Sequence, residues 1–252
     1  MTTQTRSQPF IVQLLDLTII QLANWRWSWK GMMLTSVISP LMGIGALGIF
    51  AEDNTAVGYI LTGNLVMALL FGTFDKVATH FAYMRMVGRL TFFATLPIYR
   101  TTVILATVLA FLLLALPAVI VTLVAGTLLL NVTLALSPWL LVVIPLVGTA
   151  MCGLGALIGI VVRSPEEVGS LSALISFVSL GLGPVVIPPD RLPGLLSTLG
   201  YFSPATYAAS ALRQTVLGMP GRSPLAIDLG VLALLLVVSL WVVAQRMDWR
   251  QA

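Results

Sequence analysis

The chain alternates between long apolar stretches and short polar connections. Six stretches contain no Asp, Glu, Lys or Arg, except for Asp228 near one edge of the last: residues 32–50, 57–74, 101–130, 139–162, 168–187 and 225–243. About 20 helical residues cross a bilayer core, and each charged side chain at mid-depth costs roughly 2.5 to 3.5 kcal/mol. The pattern therefore predicts an all-α polytopic membrane protein with six transmembrane helices.

The composition leaves no room for a separate soluble domain. The chain has 252 residues, of which 58% are hydrophobic, and its mean hydropathy is +1.03. Six spans of this kind take up about half of the chain, and no remaining segment is long enough for an independent core. We therefore expect a single transmembrane domain over residues 1–252, with function located in the spans and their connections.

The positive charges indicate a topology. The thirteen Lys and Arg residues are scattered singly at span ends rather than clustered on one face, which argues against a nucleic-acid partner. With a cytosolic N-terminus, three cations lie outside (Arg191, Arg213, Arg222) and ten inside (Arg6, Arg26, Lys30, Lys76, Arg85, Arg89, Arg100, Arg163, Arg246, Arg250). This excess predicts that both termini are cytosolic. The first apolar segment has no signal-peptide cleavage pattern.

Residues 9–30 predict an amphipathic helix at the membrane surface. Its polar residues fall within one sector of a helical wheel: Gln13, Asp16, Gln21, Asn24 and Ser28. Trp25, Trp27 and Trp29 follow, and indole rings suit the headgroup region. The alternative is a cytosolic helix docked on the bundle.

Two connections are too apolar to be solvated linkers. Residues 75–100 predict a cytosolic extension of span two followed by a short amphipathic helix that presents Leu90, Phe92, Phe93 and Leu96 to another surface. Residues 188–222 are rich in Pro and Gly yet apolar, which predicts short helices that enter the outer leaflet, one of them capped by Ser203.

Individual residues of the spans indicate where one helix begins, where helices pack closely and which polar side chains need partners. Ser164 precedes Pro165 and two glutamates, which predicts a helix N-terminus there, and Gly155 with Gly159 forms a motif for close helix packing. We expect Asn64, inside span two, to bond a neighbouring helix in preference to lining a polar pathway. The serines of span five either bond back to their own helix or give it a mildly polar face.

The residues needed for most chemistry are absent. Neither lysine, Lys30 nor Lys76, stands in a phosphate-binding Gly-rich loop, so we expect no ATPase in this chain. His80 and Cys152 are the only residues of their types, so we expect no metal site, cofactor site or catalytic triad. An ion-driven transporter usually needs ionisable groups at mid-membrane, and we expect no carboxylate at that depth in these spans. The energy for any pumping would have to come from a partner.

Two motifs resemble the permeases of ABC type-2 exporters. One is Arg85-Met86-Val87-Gly88 leading to Leu96-Pro97. The other lies around spans five and six: Ile187-Pro188, Leu192-Pro193, Tyr201, Ser203-Pro204-Ala205-Thr206-Tyr207 and Leu212-Arg213. The order of an interfacial helix, six spans, a cytosolic Arg-x-x-Gly segment and an outer re-entrant segment before the last span is also similar, so the resemblance covers nearly the whole chain.

The resemblance implies a coupling helix over residues 85–97 that contacts a separate ATPase subunit, which binds ATP and Mg. The implied contact residues are Arg85, Gly88, Arg89, Leu90, Phe92, Phe93, Leu96 and Pro97. Acidic residues common in that helix are replaced here by Met86 and Thr91. Two permease copies, identical or closely related, would form the working unit in the lipids of the cell inner membrane. Our candidates for the cargo path are Thr62, Asn64, Met67, Ser172 and Ser176.

Two other functions stay open at this point. A stand-alone secondary transporter would move solute down an ion gradient without an ATPase, and a non-transporting membrane scaffold or immunity factor would show no substrate-dependent ATP turnover with any partner. Apolar spans suit an amphipathic drug, a lipid or a lipid-linked glycan better than a hydrophilic ion.

Overall fold

The protein is a bundle of helices. The computed structural model describes residues 9–24, 29–49, 51, 53–96, 99–162 and 164–246, and all regular secondary structure within them is helical. The α-helices are α1 (Phe10–Asn24), α2 (Trp29–Gly48), α3 (Asn54–Leu69), α4 (Asp75–Met86), α5 (Arg89–Thr95), α6 (Arg100–Leu130), α7 (Leu140–Val161), α8 (Pro165–Gly181), α9 (Gly194–Leu199), α10 (Pro204–Val216) and α11 (Leu225–Arg246). Some residues used above lie outside the described ranges: Arg6, Trp25, Arg26, Trp27, Ser28, Phe50, Pro97, Arg163 and Arg250.

Four helices among the described residues are long and apolar enough to cross a membrane. They are Asn54–Met86, Thr101–Leu130, Leu140–Val161 and Leu225–Arg246. The apolar part of α2, Ser36–Gly48, is shorter, and α8 has 17 residues. The total of six spans therefore stays a prediction.

The longest of these helices contains a change of winding. α3 and α4 are joined by a π-helical segment, Leu70–Phe74, and form one continuous rod of 33 residues, about 50 Å long. The apolar stretch that predicted span two ends at residue 74, and the helix continues to Met86, in agreement with the predicted extension of that span. The rod thus reaches from one end of the bundle, near α10, to the other, near α5. We refer to these as the α10 end and the α5 end.

Apolar side chains form one cluster toward each end of the bundle. Toward the α10 end, buried residues of α3, the π-helical segment, α7, α10 and α11 surround Leu69, Met151 and Leu212. Toward the α5 end, Phe81, Phe111 and Ala156 are among the buried residues contributed by α4, α6 and α7. The helix α7 takes part in both clusters, so it connects the two ends.

Close backbone contact joins α7 to α4, as Gly155 and Gly159 predicted. A Cβ atom on Gly155 would overlap the carbonyl oxygen of Phe74, and one on Gly159 would overlap that of Ala78. Side chains cannot fit at either position unless the helices separate. The small-residue motif thus sets how closely these two helices approach.

The helix α8 has only three buried residues, Val168, Ser172 and Ser176. It begins as predicted, because the Ser164 hydroxyl accepts a hydrogen bond of 3.1 Å from the Glu167 amide. It ends at Gly181, whereas the apolar stretch predicted a span to residue 187. Gly183 has a φ of +84°, and its backbone packs against that of Gly200. The chain therefore turns after α8 and passes beside residue 200. Pro184 follows and cannot continue the helix.

The N-terminal helix α1 packs along α6 with its polar side inward. Gln21 Nε2 donates to the hydroxyl of Thr107 at 3.1 Å, and the Gln13 side-chain oxygen accepts from the Tyr99 amide at 3.2 Å. The opposite, exposed side is mostly apolar, with Ile11, Leu15, Ile19 and Ile20, but it also carries Asp16, which the sequence pattern grouped with Gln13 and Gln21. The helix therefore docks on the bundle through its amides and keeps an apolar surface, which suits contact with lipid.

The predicted outer segment contains one helix that is buried inside the bundle. Most residues of α10 are buried, and it packs against α3, α7, α8 and α11. Ser203 occupies the N-cap position of this helix, as predicted, but its side chain makes no capping hydrogen bond. The Ser203 hydroxyl instead donates to the Ser179 carbonyl at 3.2 Å and so ties the start of α10 to the end of α8.

We expect Gly155→Ala to destabilise the protein by about 1 to 3 kcal/mol, because the added methyl group forces α7 away from α4. Gly230→Ala is the matched control, since a Cβ on Gly230 in α11 meets open space. Thermal unfolding in detergent, followed by size-exclusion chromatography, compares the two. Equal melting temperatures would contradict the packing described here.

Candidate functional site

The short helix α5 is held to the bundle by one face. Leu90 is buried in the apolar cluster of the α5 end, and Phe93 packs against the same cluster. The turn from α4 into α5 passes through Gly88, whose φ of +70° is left-handed. Gly88 thereby lets the chain reverse so that both anchoring residues face inward.

The other face of α5 continues onto the end of α4 as an exposed apolar surface. Phe92 is 62% exposed, and Arg89 lies beside it with its guanidinium 5.9 Å from the ring centre of Tyr83. We call this surface the α5 patch, and its members are Tyr83, Met86, Val87, Arg89, Phe92 and Leu96. Of the residues predicted to contact a partner, it includes Arg89, Phe92 and Leu96, whereas Leu90 and Phe93 serve as anchors.

Arg85 is used within the chain. Its guanidinium donates hydrogen bonds to the carbonyl oxygens of Ile160 and Val162, at the C-terminal end of α7. These carbonyls have no helical partner, and a cation stabilises the negative end of a helix dipole. Arg85 thus holds α4 to α7, and its predicted contact with a partner stays a prediction.

Three of the predicted path residues lie on α3. Thr62 and Asn64 are buried, and each bonds a carbonyl of its own helix, those of Gly58 and Ile60. The Asn64 side-chain oxygen packs against Gly43 of α2. We expected Asn64 to form a hydrogen bond with a neighbouring helix, but its amide nitrogen bonds within α3 and its side chain packs between α3 and α2. Met67 is partly exposed. Their part in a cargo path stays a prediction.

The other two predicted path residues, Ser172 and Ser176, lie one turn apart on α8 and are fully buried. The Ser172 hydroxyl donates to the Asp75 carboxylate at 2.5 Å, which is a bond between α8 and α4. Ser176 Oγ is buried without a hydrogen-bond partner. The structure thus places both serines in the seam between these helices, and sequence reasoning missed Asp75 as their neighbour.

The α10 end contains two buried charged residues, Arg213 and Asp228, which contact different partners. Arg213 is 1% exposed, its guanidinium lies 3.4 Å from the ring centre of Tyr59, and it donates to the Pro184 carbonyl at 3.3 Å. The buried Asp228 carboxylate accepts from Gln214 at 2.9 Å and from the Ser223 hydroxyl. The charge pattern placed Arg213 on the outer side as a topology signal, and it did not indicate that this residue is buried and joins α10 to α3.

The described residues contain no group of three or more His, Cys, Asp or Glu side chains that could hold a metal ion. The surfaces that distinguish this chain are therefore the α5 patch, the α4–α8 seam and the α10 end.

The bundle and its apolar helices define an integral membrane protein. The sequence model of the ABC-2 type transporter family matches residues 10–217. The chain therefore belongs to this family, whose members are transport permeases. A search of the curated proteins finds no match.

The family assignment confirms the resemblance stated above. The matched region extends from the start of α1 to the end of α10 and includes the α5 patch, the α4–α8 seam and most of the α10 end. Permeases of this family generally work with an ATP-binding subunit. The chain is thus a transporter permease.

We expect Tyr59→Leu to lower stability by about 2 kcal/mol, because the desolvated guanidinium of Arg213 loses the aromatic face beneath it. Tyr59→Phe keeps that face and serves as the control. Thermal unfolding of both purified variants checks the prediction, and an equal loss for the two would contradict a stabilising cation–π contact.

At Gly88 we expect a purely conformational effect, since a Cβ there meets open space. Gly88→Val should cost about 1 to 3 kcal/mol of stability through left-handed strain. Gly88→Asn should cost much less, because Asn tolerates this conformation. Chemical denaturation followed by tryptophan fluorescence measures the difference, and equal effects would indicate another cause.

Proposed function

We propose that this chain is the membrane-spanning subunit of an ATP-binding-cassette exporter, which forms the cargo path and is driven by a separate ATPase subunit. The observation that supports this most directly is the α5 patch. It offers an exposed apolar surface on a short helix that is anchored to the end of the longest rod in the protein.

The chemistry of the α5 patch suits a protein groove better than lipid. Arg89 is exposed within it, and a charge is expensive in hydrocarbon, so the patch belongs at or beyond the membrane surface. There the exposed Phe92, Met86 and Val87 need an apolar partner to leave water. Arg89 adds a preference for a groove with acidic residues.

The charges also support an orientation in which the α5 end is cytosolic. Lys76, Arg85, Arg89 and Arg246 lie toward this end, and the chain enters and leaves the described bundle there. Arg213 and Arg222 at the other end are engaged by aromatic rings. Both termini would then be cytosolic, in the cell inner membrane, and the α5 patch would face the compartment that contains ATP.

The mechanism would be conformational. Closure of two ATPases around ATP and Mg would displace α5. Because Leu90 anchors α5 and close packing joins α4 to α7, α4 would transmit this displacement to the bundle. Two permease copies would open the path alternately to either side. In this proposal no residue of the chain makes or breaks a covalent bond.

The cargo class is also part of the proposal. The surfaces of the long helices that face outward are apolar, and the path candidates offer hydroxyl and amide groups. An amphipathic drug, a lipid or a lipid-linked glycan fits such a path. Thr62, Asn64, Met67, Ser172 and Ser176 remain our candidates for contacting it.

We expect Phe92→Ala to weaken copurification of the ATPase subunit and to lower transport-linked ATP hydrolysis at least tenfold, because truncating an exposed aromatic anchor at an interface costs about 2 kcal/mol or more. Phe202→Ala is the matched control. Phe202 is 86% exposed at the opposite end of the bundle. Copurification from membranes and ATP turnover in vesicles measure both variants.

The same pair of variants tests the orientation. Loss of ATPase binding with Phe202→Ala and not with Phe92→Ala would place the ATPase at the α10 end and contradict the proposed topology. Full binding and turnover in both variants would contradict the α5 patch as the contact surface.

A further inference from the structure

The fully buried residues of α8 form a narrow stripe of Val168, Ser172 and Ser176, spaced four residues apart along one face. Beside this stripe, Ile175 and Leu180 are partly buried and pack against the apolar cluster of the α10 end. Other positions carry exposed apolar side chains: Leu171, Leu174, Phe177 and Val178. Small hydroxyl side chains interlock less than branched apolar ones, so the part of the contact at the two serines can separate with less repacking than an apolar one.

The contact between α4 and α7 is of the opposite kind. Gly155 and Gly159 bring the two backbones together, and Arg85 bonds the last carbonyls of α7 from α4. Any movement of one of these helices displaces the other. The two form a rigid pair against which α8 is placed.

One strong bond crosses the seam between α4 and α8. Ser172 Oγ donates to Asp75 Oδ1 at 2.5 Å, and Asp75 Oδ2 lies 3.5 Å from the ammonium of Lys76. A hydrogen bond to a carboxylate is roughly twice as strong as one between neutral groups. Two apolar contacts lie nearby: a small cluster of Ala78, Ala82 and Val168, and an edge-on contact between the rings of Phe71 and Phe177, whose centres are 5.6 Å apart.

The position of Asp75 connects this bond to the rest of the rod. Asp75 is the first residue after the π-helical segment Leu70–Phe74, and such segments often mark functional sites in helices. From Asp75, α4 leads directly to the α5 patch. A displacement of α5 therefore acts on the helix that carries the carboxylate.

We propose that α8 is a gate helix and that the hydrogen bond between Ser172 and Asp75 keeps the gate closed. When the bond breaks, α8 separates from the rigid α4–α7 pair and opens the seam lined by Ser172 and Ser176. The hydrogen bond acts in the chain alone, whereas its release by ATP rests on the proposed function.

The test measures how often the seam opens. A reporter cysteine replaces Val168, which is fully buried in the seam, in a chain that carries Cys152→Ala. The full-length protein in lipid nanodiscs is then labelled with a maleimide, and the labelling rate reports the population of the open seam. We expect Ser172→Ala to raise this rate about tenfold, as the loss of a hydrogen bond to a charged group implies.

Ser176→Ala is the matched control, since Ser176 is equally buried on the same face and has no hydrogen-bond partner. We expect it to label at the reference rate. Asp75→Ala should label as fast as Ser172→Ala, and the double variant no faster than either, because all three lack the same bond. Equal rates for Ser172→Ala and Ser176→Ala, or additive effects in the double variant, would overturn the proposal. Monodisperse elution of each variant controls for folding.

A second arm separates this inference from the proposed function. With the ATPase subunit present, a non-hydrolysable ATP analogue should raise labelling of the reference chain. If Ser172→Ala opens the seam but the nucleotide has no effect, the hydrogen bond closes the gate as proposed and its control by the ATPase is overturned.

Discussion

The backbone contact between α4 and α7 is the constraint on which the rest of the structure depends. Glycines at two successive turns of α7 allow the carbonyl groups of Phe74, directly before α4, and of Ala78, within α4, to approach where any side chain would overlap them. Lipid offers no hydrophobic force between helices, so packing of this closeness supplies the attraction. Because α7 takes part in both apolar clusters, the contact also fixes the position of α4 and, through α4, of the α5 patch.

The α10 end shows how the chain accommodates charge inside a membrane bundle. Arg213 and Asp228 are both buried, and each is partnered by dipoles or an aromatic ring instead of by a direct ion pair. Their contacts join α10 to α3, to the turn after α8 and to α11. A short helix with no span of its own is thereby fixed among longer ones.

Much of the fold follows from the sequence because lipid selects long apolar helices. The stretch at residues 101–130 coincides with α6 within one residue, and the glycine motif at Gly155 and Gly159 and the cap at Ser164 are where the pattern places them. These features are local: they depend on periodicity or on neighbouring residues. The end of α8 at Gly181 was missed, because a turn beneath Gly200 ends it while the sequence stays apolar.

The site was less predictable, because its contacts join residues far apart in the chain. The pattern marked Leu90, Phe92 and Phe93 as one surface, but only the fold divides them into anchors and exposed residues. Arg85 looked like a partner contact, and no local signal reveals the free carbonyls of α7 beside it. The pairing of Ser172 with Asp75 spans 97 residues, so periodicity could show a polar face on α8 but not what it meets.

That pairing also bears on the two interpretations of the serines in α8, because the Ser172 hydroxyl lies 2.5 Å from the Asp75 carboxylate and 3.2 Å from the Gly169 carbonyl of its own helix. Serines that only bonded back to their own helix would need no particular direction. Here Ser172 and Ser176 share the one buried stripe of α8, and Ser172 reaches a carboxylate on another helix. Apolar residues at these positions would pack α8 more tightly against the rigid pair. Hydroxyl groups leave a contact that is polar at its centre and compatible with water, which would suit the separation of α8 that we propose.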